Sequence, residues 1–444
     1  MHYRRRQYNS GKNSGYGRAN KQKKKGGRWI LWTVPAVLLC ILLGAGAFWF
    51  LAGPAGKNGA ESFGPLPLGV PFAKAGVQAA AEVSGAGPEA EAAWQEMKID
   101  RVLDSMTLEE KVNQLFMITP EALTGVGTVI QAGDGTREAL EEHPVGGLIY
   151  FAQNLKDPDQ TRTMLENTQE YASARSGFPI FLSVDEEGGQ VARVGSNPAF
   201  GVPEIGNMSE VGAGGDTQEA YETGSTIGAY LKDLGFNMDA APDADVLTNP
   251  ANEVVKYRSF GSDPELVSRM AAAELKGLND QGIIGMYKHF PGHGGTTADS
   301  HEGYVYVEEN LEELKSGALV PFQDGADNGL RVIMVSHIAC PEVTGDNTPA
   351  TLSRQLVTDL LRENMGFDGL VITDALNMGA ITEQYSSGEA AVAALNAGVD
   401  MLLMPADFQA AYDGVMAALE NGELTEERID ESVRRILEIK LGME

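Results

Sequence analysis

Residues Lys288–His301 read KHFPGHGGTTADSH and hold half of the chain's six histidines: His289, His293 and His301. An apolar run before them, Gly282–Tyr287, predicts a buried strand, and Pro291 with Gly292, Gly294 and Gly295 predicts a loop with freedom of backbone angle. Asp299 and His301 are two positions apart, so in extended backbone they point the same way. The carboxylate can then accept a hydrogen bond from the imidazole, orient it and raise its pKa, leaving His301 able to give a proton and take it back. A loop cap beside an exposed histidine is the other reading. Histidine spacings of four and eight also suit a metal, but no HExxH motif or cysteine cluster accompanies them, and no metal or cofactor is assigned. Asp374, in GLVITDALNM (369–378), ends another apolar run. It is either a turn cap or a carboxylate able to attack an anomeric carbon and leave again.

These groups need a scaffold that brings distant positions together. Short apolar runs recur at Gln114–Ile118, Gly147–Ala152, Pro179–Val184, Phe236–Ala241, Ile283–Tyr287, Arg331–Val335, Gly369–Thr373 and Asp400–Met404. Helical patterns alternate with them, over Asp159–Ala174, Thr217–Leu234, Pro264–Gln281, Leu311–Asn328, Ser353–Asn364 and Gly388–Ala397. Two more close the chain, near Asp407–Glu420 and Thr425–Leu441, and Thr107–Glu110 forms a capping box. Runs without polar alternation suit parallel strands covered on both faces. Eight of them with intervening helices predict a (β/α)₈ TIM barrel over residues 96–444, with an open doubly wound sheet as the alternative. In such a barrel function collects at the C-terminal strand ends. Those ends carry Asp185-Glu-Glu, Asp243 and Asp245, Lys288-His289, Ser336-His337 and Asp374. Lys288 and Arg258, with the carboxylate Asp185, suit hydrogen bonding to many hydroxyls, as a sugar demands, although any one of them taken alone reads first as a buried ion pair.

The N-terminal part differs in kind. Ten of the chain's 34 basic side chains lie in residues 1–28, which hold no acid, so the other 24 face all 62 acidic groups. Residues 29–51 carry no charge, which is long enough to cross a hydrocarbon core of about 30 Å, with Trp29, Trp32, Trp49 and Phe50 at the ends. A cytoplasmic basic arm on anionic headgroups, a single transmembrane helix and an outward-facing domain are predicted. A cleaved signal peptide or a lipoprotein at Cys40 are the alternatives. The following segment, 52–95, rich in Ala, Gly, Pro and Glu, reads as a disordered linker. Cys40 and Cys340 cannot form a disulfide within one domain.

Four segments taken together resemble glycoside hydrolase family 3 in its β-N-acetylglucosaminidase branch: VDEEGGQVAR (184–193), YRSFGSDP (257–264), Lys288–His301 and TDALNM (373–378). The resemblance covers roughly residues 97–444. It implies Asp374 as nucleophile, His301 as acid/base paired with Asp299, and Asp185, Arg193, Arg258, Lys288 and His289 as holders of the terminal N-acetylglucosamine, without a metal. Gly295 stands where the family often has Asp, and Glu253–Lys256 departs from the usual Pro-containing lead into the RSFG segment. The expected activity is a membrane-anchored, retaining exo-β-N-acetylglucosaminidase acting on muropeptides or chitooligosaccharides, with no nucleic-acid partner. A phosphorylase, a family 3 β-glucosidase and an inactive carbohydrate-binding barrel are the alternatives. Oligomeric state is not legible.

Overall fold

The computed structural model describes residues 87–296 and 303–443. Within them lie eight parallel strands in chain order: β1 (Phe116–Ile118), β2 (Gly147–Tyr150), β3 (Phe181–Val184), β4 (Met238–Asp239), β5 (Tyr287–Phe290), β6 (Val332–Val335), β7 (Leu370–Thr373) and β8 (Leu402–Leu403). They form two ladders, β8-β1-β2-β3-β4 and β7-β6-β5. Isolated parallel bridges join the ladder edges, Met238 to Ile284 and Asp243 to Lys288 on one side and Ile372 to Met401 on the other. The strands therefore follow one another around a ring. They are buried along their length, which is why their sequences are continuous apolar runs.

The expectation of a TIM barrel preceded by a transmembrane helix is corrected here. The described residues form an α/β fold whose eight ring strands make two parallel sheets, beside a parallel pair (Val305–Tyr306 with Ile338–Ala339) and an antiparallel pair (Glu186–Gly188 with Val191–Ala192), and none of their helices is long and apolar enough to cross a membrane. The predicted arm (1–28) and anchor (29–51) lie outside the described residues. The single-pass, outward-facing membrane location that rested on that anchor has no support among the described residues and is not carried forward. A helix, Gly87–Ser105, already begins inside the stretch read as linker.

Other departures have local causes. The predicted strand over Ile283–Tyr287 is displaced to Tyr287–Phe290, because only Ile284 bridges β4 and the β5 register shifts between Tyr287 and Phe290. Lys288 and His289 thus lie within a strand and not after one. The helix expected over Leu311–Asn328 is two, Leu311–Ser316 and Val320–Asp327, interrupted at Gly317 with Pro321 in the first turn of the second. Residues Gln355–Asn364 form π-type turns. The capping box at Thr107 is present, with Thr107 Oγ1 accepting from the Glu110 N–H at 3.2 Å and Glu110 Oε2 from the Thr107 N–H at 3.0 Å.

Candidate active site

The site is built outward from a sealed ion cluster. Glu187 and Lys288 are almost fully buried, their side chains 2% and 3% exposed, with Lys288 Nζ 2.5 Å from Glu187 Oε1. Arg258 completes the pair as a fork, Nε donating to Glu187 Oε2 at 2.7 Å and a terminal nitrogen to Oε1 at 2.8 Å. Burial alone would raise the Glu187 pKa, but the two cations outweigh it and hold the carboxyl below its usual range. Burial likewise works against the Lys288 cation and is overcome by Glu187 and Asp185, so its pKa is raised. Exposure then increases toward the rim. Lys288 Nζ donates to Asp185 Oδ1 at 3.1 Å, Asp185 is 18% exposed, and Arg193, 29% exposed, lies 3.5 Å from Asp185 Oδ2. Arg193 also stands over the Phe151 ring, 5.7 Å from its centroid.

Arg193 is placed by a carboxylate that never reaches the rim. Glu186, buried, accepts the N–H groups of Arg193, Val194 and Gly195 at 2.6, 2.8 and 2.7 Å and the Tyr230 hydroxyl at 2.8 Å. Arg258 is placed by Asn252, whose Oδ1 accepts the N–H groups of Val254 and Val255 and whose Nδ2 donates to the His293 carbonyl. The segment 252–258, which lacks the Pro-containing lead expected there, is thus tied by an amide to the loop after β5.

His289 is fixed in one protonation state by its neighbours. Its Nε2 is 3.1 Å from an Arg258 nitrogen, and a guanidinium can only donate, so Nε2 accepts. Nδ1 then carries the proton and donates to Asp245 Oδ2 at 2.7 Å. Burial, aided by Arg258, lowers the His289 pKa to about 4, consistent with that neutral tautomer. Asp245 Oδ1 also accepts the His293 N–H at 2.5 Å. Burial and the Asp245 charge push Asp243 up to about 8, against Arg258. Ligand atoms of Asp243, Asp245 and His289 lie within 4.8 Å of one another, a spacing that could hold a cation. Both imidazole nitrogens are already engaged, however, and Arg258 Nε is 3.5 Å from Asp243 Oδ2, so the set fits a hydrogen-bonded relay better than a ligand set.

Asp374 follows β7 at the C-terminal end of the strands and is half-buried. Its N–H donates to the Val335 carbonyl at 2.8 Å, and its Oδ1 accepts the Ala375 N–H at 2.7 Å. Burial works to raise its pKa, but His337, His289, the Ala375 N–H and Lys288 together lower it. Because the tautomer holds His289 neutral, His337, Ala375 and Lys288 carry that effect. His337 Nε2 donates to the Ala375 carbonyl at 2.9 Å and Nδ1 lies 3.0 Å from Thr351 Oγ1, which braces the turn that carries Asp374.

Of the residues singled out in the sequence, Asp185, Arg193, Arg258, Lys288 and His289 are brought together, and Asp374 stands at the end of β7. Asp299 and His301 lie outside the described residues. Glu187, Asp245 and Asn252 bind the assembly without having been given a role in advance. Glu187 and Asp245 were visible only as acids at strand ends.

The family profile described as Glycosyl hydrolase family 3 N terminal domain matches residues 107–439. The chain belongs to glycosyl hydrolase family 3. It is 34% identical over 315 residues to Beta-hexosaminidase LpqI of Mycobacterium tuberculosis, covering 69% of this chain and 80% of that one. It is also 34% identical to Beta-hexosaminidase A of Pseudoalteromonas piscicida, over 68% of this chain but only 54% of that relative's length. Among solved structures, a family 3 beta-N-acetylglucosaminidase from a Paenibacillus species superimposes with a TM-score of 0.71 at 39% identity, covering 76% of this chain and 63% of that one.

Proposed function

We propose that the protein is a retaining exo-β-N-acetylglucosaminidase that removes the terminal non-reducing N-acetylglucosamine of a β-linked saccharide. The observation that carries this reading is Asp374, a half-buried carboxylate at the C-terminal strand ends, on a turn braced by His337. Relatives named beta-hexosaminidase support the choice of sugar. Asp374 attacks the anomeric carbon as the glycosidic oxygen leaves, forming a glycosyl-enzyme that water then hydrolyses. Asp185, Arg193, Arg258 and Lys288 hold hydroxyls of the terminal sugar, with neutral His289 as a further polar partner. The proton needed by the leaving oxygen is assigned to His301, oriented by Asp299, and His301 later removes a proton from the attacking water.

Trapping with an activated 2-fluoro sugar and mass spectrometry of the digest test the first assignment, with the label expected on Asp374. A label on any other residue overturns it. The second is tested by His301→Ala. Its loss, expected at about 10²–10⁴-fold on an oligosaccharide, should shrink on a dinitrophenyl glycoside whose leaving group needs no proton. Equal losses on both substrates would remove His301 from the proton transfer. Running the reaction with added phosphate separates hydrolysis from phosphorolysis, since free N-acetylglucosamine is expected and its 1-phosphate would make the protein a phosphorylase.

A further inference from the structure

Five large apolar side chains are exposed among the described residues: Met97, Val126, Tyr257, Tyr304 and Tyr306. Two of these form a single surface. Gly303, Val305 and Val307 are buried while Tyr304, Tyr306 and Glu308 are exposed, the two-residue alternation of a strand with one wet face. Val305 and Tyr306 pair in parallel with Ile338 and Ala339. Tyr304 and Tyr306 therefore stand side by side on the outer face, their rings stacked with centroids 5.7 Å apart and 22° between planes, 37% and 47% exposed.

This pair sits beside the reaction centre. Its partner strand begins directly after His337, whose Nε2 bonds the carbonyl of Ala375, the residue after Asp374. On the other side, a Cβ at Gly303 would lie 3.6 Å from a Glu383 carboxylate oxygen, at the end of the short helix that follows the Asp374 turn. The terminal sugar is already accounted for by the ion cluster deep in the site, so rings at the rim have no part in holding it.

We infer that Tyr304 and Tyr306 form a stacking platform for the sugars on the reducing side of the scissile bond, and that it takes a neutral N-acetylglucosamine chain. The inference rests on the glycosidase reading above. A pyranose presents an apolar face of C–H groups that lies flat on an aromatic ring, and its equatorial hydroxyls need polar partners at the ring edge. Glu308, exposed on the strand face of the tyrosines, and Glu383 supply acceptors. Two carboxylates beside the platform, Glu308 and Glu383, disfavour a sugar that itself bears one, as muramic acid does, so the rim selects chitooligosaccharides over muropeptide saccharides.

The test is the dependence on chain length. For the parent protein, kcat/KM should rise about tenfold from chitobiose to chitotetraose. Tyr304→Ala/Tyr306→Ala should flatten that rise, and Tyr304→Phe/Tyr306→Phe should retain it. Affinity of the Asp374→Asn protein, measured by calorimetry, should show the same length dependence without turnover and should be weaker for a tetrasaccharide containing muramic acid. A parent with no length dependence in either assay, or an alanine pair that keeps it, overturns the platform, as does an alanine pair that instead changes the sedimentation of the protein. Failure to release N-acetylglucosamine from any of these substrates would overturn the glycosidase reading, while the calorimetric arm would still decide the platform.

Discussion

Two buried charge clusters lie at opposite ends of the same strands, and they are built to different ends. At the N-terminal end Asp400, just before β8, accepts from Arg362 at 2.5 Å, Arg435 at 3.0 Å, Ser432 at 2.8 Å and the Val371 N–H at 2.9 Å. These two arginines and Arg428, itself 3.8 Å from Asp400 Oδ1, spend further donors on carbonyls of Gly398, Gly369, Leu395, Val399 and Asp368. At the C-terminal end the charges run from buried to rim-exposed, and not every buried polar atom is answered. Arg193 Nε, Asp239 Oδ2 and Asp243 Oδ2 have no hydrogen-bond partner among the described residues, and neither has either oxygen of Glu274, on the helix Pro264–Asp280. A saturated cluster clamps helices to strand starts. An incompletely satisfied one stores interaction capacity near the place where a polar ligand arrives.

The largest expected effect separates the two ends outright. Asp374→Asn should reduce turnover at least about 10⁴-fold, because no other group takes over covalent attack, while thermal unfolding stays close to the parent. Retention of a hundredth of the activity would show that Asp374 is not the nucleophile. Asp400→Ala is the mirror image. It leaves three guanidinium groups around an empty position and should cost about 3–5 kcal/mol of stability, read from urea unfolding, with kcat per folded molecule unchanged. The sign with pH follows from the lowered Asp400 pKa, where burial is outweighed by Arg362, Arg435 and Arg428. Its stabilisation is present above the unfolded carboxylate range and lost as pH falls through the folded value. If Asp400→Ala impaired kcat as much as stability, the division between the ends would not hold.

A smaller effect of opposite sign belongs to an unsatisfied carboxyl on the helix Pro264–Asp280. Glu274 is fully buried, and burial raises its pKa well above normal, with Glu187 and Asp243 adding to the rise. A carboxyl with a raised folded pKa supports stability below its unfolded pKa and loses that support as pH rises through the folded one. Glu274→Gln cannot ionise. It should match the parent near pH 4 and exceed it at pH 8, by about 1 kcal/mol or more. Parallel stability-versus-pH curves for the two proteins would mean that Glu274 is not strained by ionisation.

The same contrast explains what could be read in advance. Strand cores such as Val332–Val335 and Leu370–Thr373 announce themselves, because burial on both faces makes every residue apolar. Lys288 and His289 were recognisable as chemistry but were placed after a strand, since a polar pair inside a ring strand contradicts the pattern that identifies strands. The pairing of Glu187 with Arg258 joins residues 71 positions apart, and nothing local marks which of the adjacent acids Asp185, Glu186 and Glu187 does what. One faces the rim, one ties down a backbone loop and one neutralises two cations, a division set by side-chain direction and not by residue type. The Asp400 cluster escaped notice for the same reason, its arginines coming from residues 362, 428 and 435.

The loop after β5 gives the finest test, at two adjacent glycines. A Cβ at Gly294 would lie 1.8 Å from the Val246 carbonyl oxygen, which is backbone and cannot yield. At Gly295 a Cβ would meet Glu309 Oε1 at 2.5 Å and Thr248 Oγ1 at 3.2 Å, and the nearer of these is the far end of a flexible side chain. Gly295 is also where the family often carries an aspartate, so here a carboxylate from Glu309 occupies the space that the aspartate would claim. Gly294→Ala should therefore disrupt the loop and the activity with it. Gly295→Asp should cost only about 1 kcal/mol, from crowding two like charges. Pairing it with Glu309→Ala should restore the stability, since one carboxylate again fills the position. A double variant no more stable than Gly295→Asp alone would show that Glu309 merely passes nearby. A single variant as stable as the parent would show that the loop has room for both.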